Sequence, residues 1–360
     1  MKFRKPIWLI FSAVIISLVA CNAPGKVVKL SKTQNIVFLD SLSAASAIVD
    51  DDTEGFFEKI NVLDMSIQMK RNFATGTSRG EIVEAYKNYL SADVSSFSDE
   101  EKKLLKSKLK KAYKQINKIA PGIFPLQIEL IKTHARHYGP GTYYTRENRI
   151  IIPKDALATK GKDKSKMESA LYKTLLHEIF HIYSRYNERQ RRQLYGLVGF
   201  RNIFGLPLLM NDALKERILL NPDGLDIAQV IDIQKDSSKI SAIPIIISSE
   251  PRFEETKEGF FHYLKFDLYQ ILKVGQSLKI LTNDDGTSRL NLKELPDYFR
   301  QIKDNTQYII HPDEIMADNF ALLVLSQTDG KVSARLSPEG KKLLKDMKSV
   351  LQGKELSGGN

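Results

Sequence analysis

The stretch "LYKTLLHEIFHIYSRYN", residues 171–187, decides how the rest of the chain is interpreted. Its apolar residues recur every three or four positions, which predicts a long amphipathic helix. Histidines four positions apart lie on one face of a helix, so His177 and His181 can each direct a ring nitrogen at one metal ion. Glu178 would lie beside that ion, where a carboxylate can act as a general base. The alternative is a buried helix with this spacing by chance, and a third ligand decides between the two.

No other histidine lies in a motif that we recognise as a zinc-ligand motif. The remaining four stand at positions 134, 137, 262 and 311. The segment "HPDEIMADNFALLVLS", residues 311–326, offers a carboxylate instead. Its proline and aspartate are typical of the first turn of a helix, and an apolar run follows them. On that helix Glu314 and Asp318 lie on the same face, because they are four positions apart.

Together, "HEIFH" and "EIMAD" resemble the HExxH and ExxxD motifs of the gluzincins, the thermolysin-like zinc metallopeptidases. That resemblance implies that His177, His181 and Glu314 bind one Zn²⁺ per chain. It also implies that Asp318 holds the other ring nitrogen of His177 and so fixes the orientation of this ligand. Glu178 is then the general base for a metal-activated water that attacks a peptide bond, and the partner is a peptide or protein substrate.

Two features depart from the gluzincin pattern. The gap between His181 and Glu314 is much longer than in thermolysin-like enzymes, which implies an insertion between them. Asp313 stands where many of these enzymes have asparagine. The alternative for Glu314 and Asp318 is a solvated helix start, where acidic residues are common. A fourth protein ligand would favour a non-enzymatic, lipid-anchored binding or scaffold protein with a structural metal, because catalytic zinc keeps an open position.

Other parts of such a site are expected near the motif helix. In zincins an antiparallel edge strand upstream of this helix binds the substrate backbone, and "TYYT" (residues 142–145) and "NRIIIP" (residues 148–153) are the candidates. A hydrogen-bond donor that polarises the substrate carbonyl is also expected. His311 is assigned this catalytic role. The other candidates are the tyrosines at positions 143, 144, 263 and 308.

The chain begins with "MKFRKPIWLIFSAVIISLVAC", in which basic residues precede an apolar stretch. That stretch is shorter than the roughly 20 residues that span a bilayer and is typical of a signal peptide. Its end, "LVAC", resembles the lipobox of bacterial lipoproteins. The resemblance implies cleavage before Cys21 and lipidation of Cys21, and Asn22 after it favours the outer membrane in a cell that has one. The alternative is an ordinary signal peptide or short anchor with an incidental cysteine.

Composition agrees with an exported globular protein. Apolar residues make up 42% of the chain and charged residues 27%, the balance of an ordinary folded protein. Cys21 is the only cysteine, so no disulfide can form within the chain. The net charge of +11 falls to +8 when the three basic side chains of the signal peptide are removed. For a lipid-tethered protein this charge favours anionic lipids or envelope polymers as neighbours and disfavours nucleic acid as a partner.

The order of predicted elements indicates an α+β fold. The gluzincin resemblance implies a zincin-like catalytic domain, in which a mixed or antiparallel sheet lies beside the active-site helix. Residues 1–20 are assigned to the signal peptide and residues 21–35 to a tether. Residues 36–120 form a predicted helical N-terminal region, with capping-box helix starts at Ser78 and Ser98. Residues 121–360 form the predicted metallopeptidase domain. It contains an irregular insertion at about 190–300.

Overall fold

The computed structural model describes residues 25–158, 161, 163–203 and 205–354. The predicted signal peptide and Cys21 lie outside these residues, so the lipid anchor stays a prediction. Among the described residues, none of the helices combines the length and apolar character needed to cross a bilayer.

The described residues form twelve α-helices. They are α1 (Ser41–Ala47), α2 (Phe56–Lys59), α3 (Val62–Met69), α4 (Arg79–Ser91), α5 (Asp99–Ile119), α6 (Lys164–Tyr186), α7 (Glu188–Gly196), α8 (Asp212–Arg217), α9 (Pro296–Ile302), α10 (Pro312–Ser326), α11 (Gly330–Ala334) and α12 (Pro338–Leu351). The capping boxes predicted at Ser78 and Ser98 are confirmed, since each hydroxyl accepts from the N3 backbone and each N3 glutamate bonds back to the cap.

Twelve strands form two mixed six-stranded sheets among the described residues. They are β1 (Lys26–Lys29), β2 (Asn35–Phe38), β3 (Val94–Ser95), β4 (Gln127–Thr133), β5 (Tyr144–Arg146), β6 (Arg149–Pro153), β7 (Phe200–Asn202), β8 (Leu208–Leu209), β9 (Gln229–Lys235), β10 (Ser238–Ser248), β11 (Leu264–Val274) and β12 (Ser277–Ile280). The α+β class that the sequence predicts is therefore confirmed.

The first sheet has the order β1-β2-β4-β6-β5, with β3 paired to β4. The β2–β4 and β4–β6 pairs are parallel, and the β1–β2 and β5–β6 pairs are antiparallel. This sheet takes strands from both sides of residue 120, where the sequence places a domain boundary. It also includes Lys26–Lys29, which the sequence assigns to a tether, because Val28 is buried against the core.

The second sheet occupies most of the region between residues 200 and 280. Its order is β7-β9-β10-β11-β12-β8, and all its pairs are antiparallel except β12 with β8. The region that the sequence describes as an irregular insertion is therefore a regular sheet. Its central strand β10 is buried over its last seven residues. A strand buried on both faces lacks the alternation by which strands are recognised.

The first sheet is covered on both faces, which fixes the position of α6. Along β6 the side chains alternate, so that Ile150 and Ile152 pack with α5, α6 and α10 whereas Ile151 packs with the helices α1–α4. All residues of α6 between 175 and 185 are buried. Helix α10 packs beside α6, with the rings of Phe180 and Phe320 5.5 Å apart. The two helices that carry the HExxH-like and ExxxD-like motifs are therefore neighbours in the core.

Candidate metal centre

The N-terminal turn of α10 brings carboxylates to the histidines of α6. Pro312 occupies the first helical position of α10, and His311 caps it by accepting a hydrogen bond from the backbone N–H of Asp313. Acidic residues are stable in this turn because the backbone N–H groups and the helix dipole favour negative charge. Glu314 therefore lies opposite His177 and His181, although 133 or more positions of sequence separate it from both.

Three possible ligand atoms converge between α6 and α10. The Nε2 atom of His177 lies 3.1 Å from Oε2 of Glu314, and Nε2 of His181 lies 3.7 Å from the same oxygen. One ligand atom from each of these three residues lies within 4.8 Å of the other two. Ligands about 2.0–2.2 Å from a tetrahedral zinc ion are roughly 3.3 Å apart, so this spacing suits Zn²⁺.

The other ring nitrogen of each histidine faces a second carboxylate. Nδ1 of His177 lies 3.3 Å from Oδ1 of Asp318, and Nδ1 of His181 lies 2.7 Å from Oδ2 of Asp313. Such carboxylates fix the ring plane and direct Nε2 at the metal. The sequence predicts this arrangement for Asp318 but misses it for Asp313. Its position directly before Glu314 in the first turn of α10 is the signal that could have indicated it.

Asp313 is itself held in place by hydroxyl groups. Its Oδ1 accepts hydrogen bonds from Ser184 Oγ at 2.5 Å and Tyr195 Oη at 2.7 Å. Asp318 is held by Thr306 Oγ1 at 2.6 Å and lies 3.2 Å from Lys173 Nζ. Both carboxylates that orient the histidines are therefore held in place by neighbouring side chains.

Two buried atoms at this site have no hydrogen-bond partner within the described part of the chain. They are Nε2 of His181, which is 1% exposed, and Oε2 of Glu178, which is 3% exposed. Buried polar atoms are almost always paired, so unpaired ones need an explanation. A metal ion bound by His177, His181 and Glu314 would occupy Nε2 of His181 and would lie beside Glu178. The residues present therefore fit Zn²⁺.

The electrostatics of the site also favour a bound cation. Burial alone would lower the pKa of His181, but the charges of Asp223 and Glu314 and the bond to Asp313 outweigh it and raise the pKa to about 9. Burial raises the pKa of Glu178 to about 8, and the charge of Asp223 adds to this effect. Without a metal the site holds protons, and a divalent cation would displace them from the histidines on binding.

A loop from the region between the two motifs completes the site, which the sequence did not indicate. Asn221 Nδ2 donates a hydrogen bond to Oε1 of Glu314 at 2.8 Å. Asp223 lies close to Glu178 and His181, with one possible ligand atom from each within 4.8 Å of the others. The backbone N–H of Leu220 donates to the buried Asp64 of α3 at 2.9 Å. The predicted helical N-terminal region therefore supports the loop that reaches the metal centre.

A cavity of about 410 Å³ opens onto the candidate metal centre. His177, Glu178 and Glu314 contribute its polar floor. Tyr143 and Tyr308 also line the cavity. Two of the tyrosines considered as donors to the substrate carbonyl are therefore beside the space that a substrate would occupy. Its apolar lining comes largely from the second sheet and the segments beside it, and includes Leu220, Ile246, Phe260, Phe261 and Leu264.

The remaining candidates for that donor lie elsewhere. Tyr144 is buried with its hydroxyl 3.1 Å from Nε2 of His137, and Tyr263 bonds to Glu254. His311 does not line the cavity, because its ring faces the other side of the loop. Its Nε2 lies 3.2 Å from the carbonyl oxygen of Asp226, and a Cβ at Gly224 would come within 2.4 Å of its Nδ1. The geometry therefore gives His311 a place as a helix cap and not as a group that touches substrate.

The edge strand beside the site is β5. It contains Tyr144–Arg146, pairs only with β6 and ends the first sheet, whereas β6 lies between β4 and β5. Of the two segments considered for binding a substrate backbone, the "TYYT" segment is therefore the one at the edge, and the residues just before β5 line the cavity.

Comparison with known proteins finds no matching family model, no matching curated protein and no matching solved structure.

Proposed function

We propose that this protein is a zinc-dependent metallopeptidase of the gluzincin type. The observation that carries the proposal is the convergence of His177, His181 and Glu314 beside a buried Glu178 whose Oε2 has no partner among the described residues. The cavity that opens onto them supports a reaction with an external substrate. Zn²⁺ bound there would polarise the substrate carbonyl and activate the attacking water.

Residues of the chain would supply proton transfer, stabilisation of the oxyanion and orientation of the ligands. Glu178 accepts the proton of the attacking water and returns it to the leaving amine. Tyr143 and Tyr308 are the donors available to the developing oxyanion, because both phenols line the cavity. Asp313 and Asp318 keep the Nε2 atoms of the two histidines directed at the ligand position.

A second candidate function is a non-enzymatic envelope protein with a structural metal. Structural zinc is usually closed by four protein ligands. Within the described residues, the group that contains both histidines has only Glu314 as its third member. Three protein ligands favour a catalytic metal over a structural one, and so favour the enzyme.

The decisive experiment compares the wild type with Glu178→Gln in the digestion of a peptide mixture. Glutamine keeps the size of the side chain but cannot accept the proton, so we expect the zinc content and melting temperature to stay unchanged. Cleavage should fall at least about 10²-fold. Glu188→Gln is the matched control, because Glu188 lies on the exposed start of α7 and its one ion pair among the described residues is with Arg192 at 3.6 Å.

The wild-type activity must also be lost on adding a chelator and restored by zinc. Equal cleavage by the wild type and Glu178→Gln would contradict the proposed mechanism. Cleavage by neither protein, with zinc held by four protein ligands, would favour the structural-metal alternative.

We also propose that a lipid on Cys21 anchors the protein in the bacterial cell envelope, in the outer membrane where the cell has one. The lipobox-like sequence "LVAC" supports this proposal. Mass spectrometry of the membrane fraction should identify lipidated Cys21 as the mature N-terminus. An internal, unmodified Cys21 in the mature protein would contradict it.

A further inference from the structure

Asp223 is a partly buried acidic residue of the cavity that the proposed mechanism does not use. It lines the cavity together with Glu178. The backbone N–H and the hydroxyl of Thr145 both donate to its Oδ1, at 2.6 and 2.5 Å. These two bonds hold the carboxylate in one place, and no donor among the described residues reaches its Oδ2.

No cation in the described part of the chain forms an ion pair with Asp223. The guanidinium of Arg185 is the cation behind it, but its donors are already engaged. Nε of Arg185 bonds to Glu54 at 2.5 Å, Nη1 to the carbonyl of Glu147 at 2.8 Å and Nη2 to Thr145 Oγ1 at 3.0 Å. Lys173, at the cavity wall, lies 3.2 Å from Asp318 instead.

The cavity therefore keeps an excess of negative charge even when a divalent cation is bound. Five carboxylates surround the two histidines: Glu178, Asp223, Asp313, Glu314 and Asp318. A Zn²⁺ ion offsets two of these charges and Lys173 offsets a third. The remaining negative charge includes that of Asp223, which has no ion-pair partner among the described residues. An external partner that pairs with this carboxylate is therefore expected to be positive.

Asp223 lies outside the group of candidate zinc ligands. The group formed by His177, His181 and Glu314 does not include it, and the group that does include it contains one histidine only. An independent feature points to a bound molecule in the same space, since the buried Oε2 of Glu178 beside Asp223 also has no partner among the described residues.

We propose that Asp223 binds a positively charged group of the substrate, so that the cavity selects peptides with an ammonium or guanidinium group next to the cleaved bond. This inference rests on the proposed function, and it names the substrate class. The charge has two possible sources, the free amino terminus of a peptide or a lysine or arginine side chain.

The test measures binding, so it does not depend on turnover. Zinc-loaded Glu178→Gln protein of full length is titrated with three five-residue peptides, all with an amidated carboxyl end. One is built of alanine and phenylalanine with a free amino terminus. The second is its N-acetylated form, and the third is the N-acetylated form with one lysine before the phenylalanine. We expect at least one cationic peptide to bind at least about 10-fold more tightly than the neutral one.

Adding Asp223→Asn should reduce that ratio to about one. Asparagine keeps an oxygen that can accept the bonds from Thr145, so the loop should keep its position. Asp226→Asn is the matched control on the same loop, and it should preserve the preference, because Asp226 accepts bonds from the backbone N–H of Ala228 and from Gln229 and Asn202. Zinc content is measured for every variant.

The two cationic peptides separate the two sources of charge. Tighter binding of the free-terminus peptide alone indicates recognition of an amino terminus, and tighter binding of the acetylated lysine peptide indicates recognition of a side chain. Equal binding of all three peptides, binding of none, or a preference that survives Asp223→Asn would overturn the proposal. Loss of zinc from Asp223→Asn would also overturn it, by making Asp223 a metal ligand. Absence of peptide cleavage by the wild type would instead contradict the proposed function and leave these binding ratios interpretable.

Discussion

Two buried histidine–carboxylate pairs in this protein differ at the second ring nitrogen of the histidine. His181 at the candidate metal centre is 1% exposed, with Nδ1 2.7 Å from Asp313 and no partner for Nε2 among the described residues. His137 is 3% exposed, with Nδ1 2.6 Å from Asp93 and Nε2 3.1 Å from the hydroxyl of Tyr144. A carboxylate on Nδ1 is common to both, so it does not identify a functional histidine. The open Nε2 does, because a buried nitrogen without a partner has capacity for a ligand.

The difference at Nε2 indicates that one pair is structural and that the other belongs to a metal site. The pair of His137 and Asp93 links the end of α4 to the segment before β5, and Asp93 and Tyr144 occupy both ring nitrogens of His137. Both ring nitrogens of His137 are engaged, so this histidine stabilises the fold and has no nitrogen left for a metal. The pairs around His177 and His181 leave two Nε2 atoms facing Glu314. Variants at the two places should consequently change different measured quantities.

The largest effect is expected from removing a ligand. Replacing His177, His181 or Glu314 by alanine should remove most of the zinc, because two protein ligands hold zinc far more weakly than three. His137→Ala is the matched control and should keep about one zinc per folded chain. Zinc is measured by elemental analysis after dialysis against a weak chelator. If Glu314→Ala bound zinc as tightly as the wild type, the third ligand would have to be another residue.

His137→Ala should instead reduce the free energy of unfolding by about 3 kcal/mol, because the 0% exposed Asp93 loses its imidazole partner. Denaturant unfolding of the metal-free proteins measures this change. Adding Asp93→Asn to His137→Ala removes a buried charge whose nearest remaining cation is Arg136 at 3.7 Å, and we expect it to recover part of the stability. A stability equal to that of the wild type would mean that this pair is not structural.

The carboxyl group of Asp64 holds the loop that reaches the metal centre, because it accepts a hydrogen bond from the backbone N–H of Leu220. It is 0% exposed, and burial raises its pKa from 3.8 to about 6 against the hydrogen bonds from Gln68 and the N–H of Leu220. Between these two pKa values the native state binds a proton that the unfolded state has lost. Stability should therefore fall as the pH rises from about 4 to 6, by about 2–3 kcal/mol in total, and then level off.

Asp64→Asn cannot lose a proton, so this part of the pH dependence should disappear from it. Unfolding free energies of both metal-free proteins are compared between about pH 4 and pH 7. Parallel curves for the wild type and the variant would show that Asp64 titrates normally in the native state.

The smallest effect is expected from the carboxylates that orient the histidines. Asp313→Ala and Asp318→Ala should each weaken zinc binding by about 10–100-fold without abolishing it, because the ligand atoms remain but their orientation is lost. Competition with a chelator of known affinity measures the change. A total loss of zinc from either variant would place that carboxylate among the ligands themselves.

The sequence predicts the parts of the site that depend on local spacing. His177, Glu178 and His181 lie on one helix, and Glu314 with Asp318 lie on another, so the helical repeat alone places them on common faces. Helix starts at Ser78 and Ser98 were predictable for the same reason, because a capping box is a local pattern.

The parts that the sequence missed depend on long-range packing. Asn221 and Asp223 reach the site only because Asp64 and other residues of the N-terminal helices hold the preceding backbone. The sequence indicated short helices and strands in the region of the second sheet but not their pairing into one sheet, and β10 is buried so that its apolar run lacks alternation. His311 attracted attention as a histidine beside the motif, but its position as the cap of α10 turns it away from the cavity.

The central claim is that an open zinc site lies between α6 and α10. A crystal structure of the zinc-loaded protein, with data at the zinc absorption edge, tests it most directly. The account predicts one anomalous peak about 2.0–2.1 Å from Nε2 of His177 and of His181, and about 2.0–2.2 Å from a carboxylate oxygen of Glu314, with the remaining position open to the cavity. A fourth protein ligand at that ion, or a zinc ion bound elsewhere with this site empty, would contradict the claim.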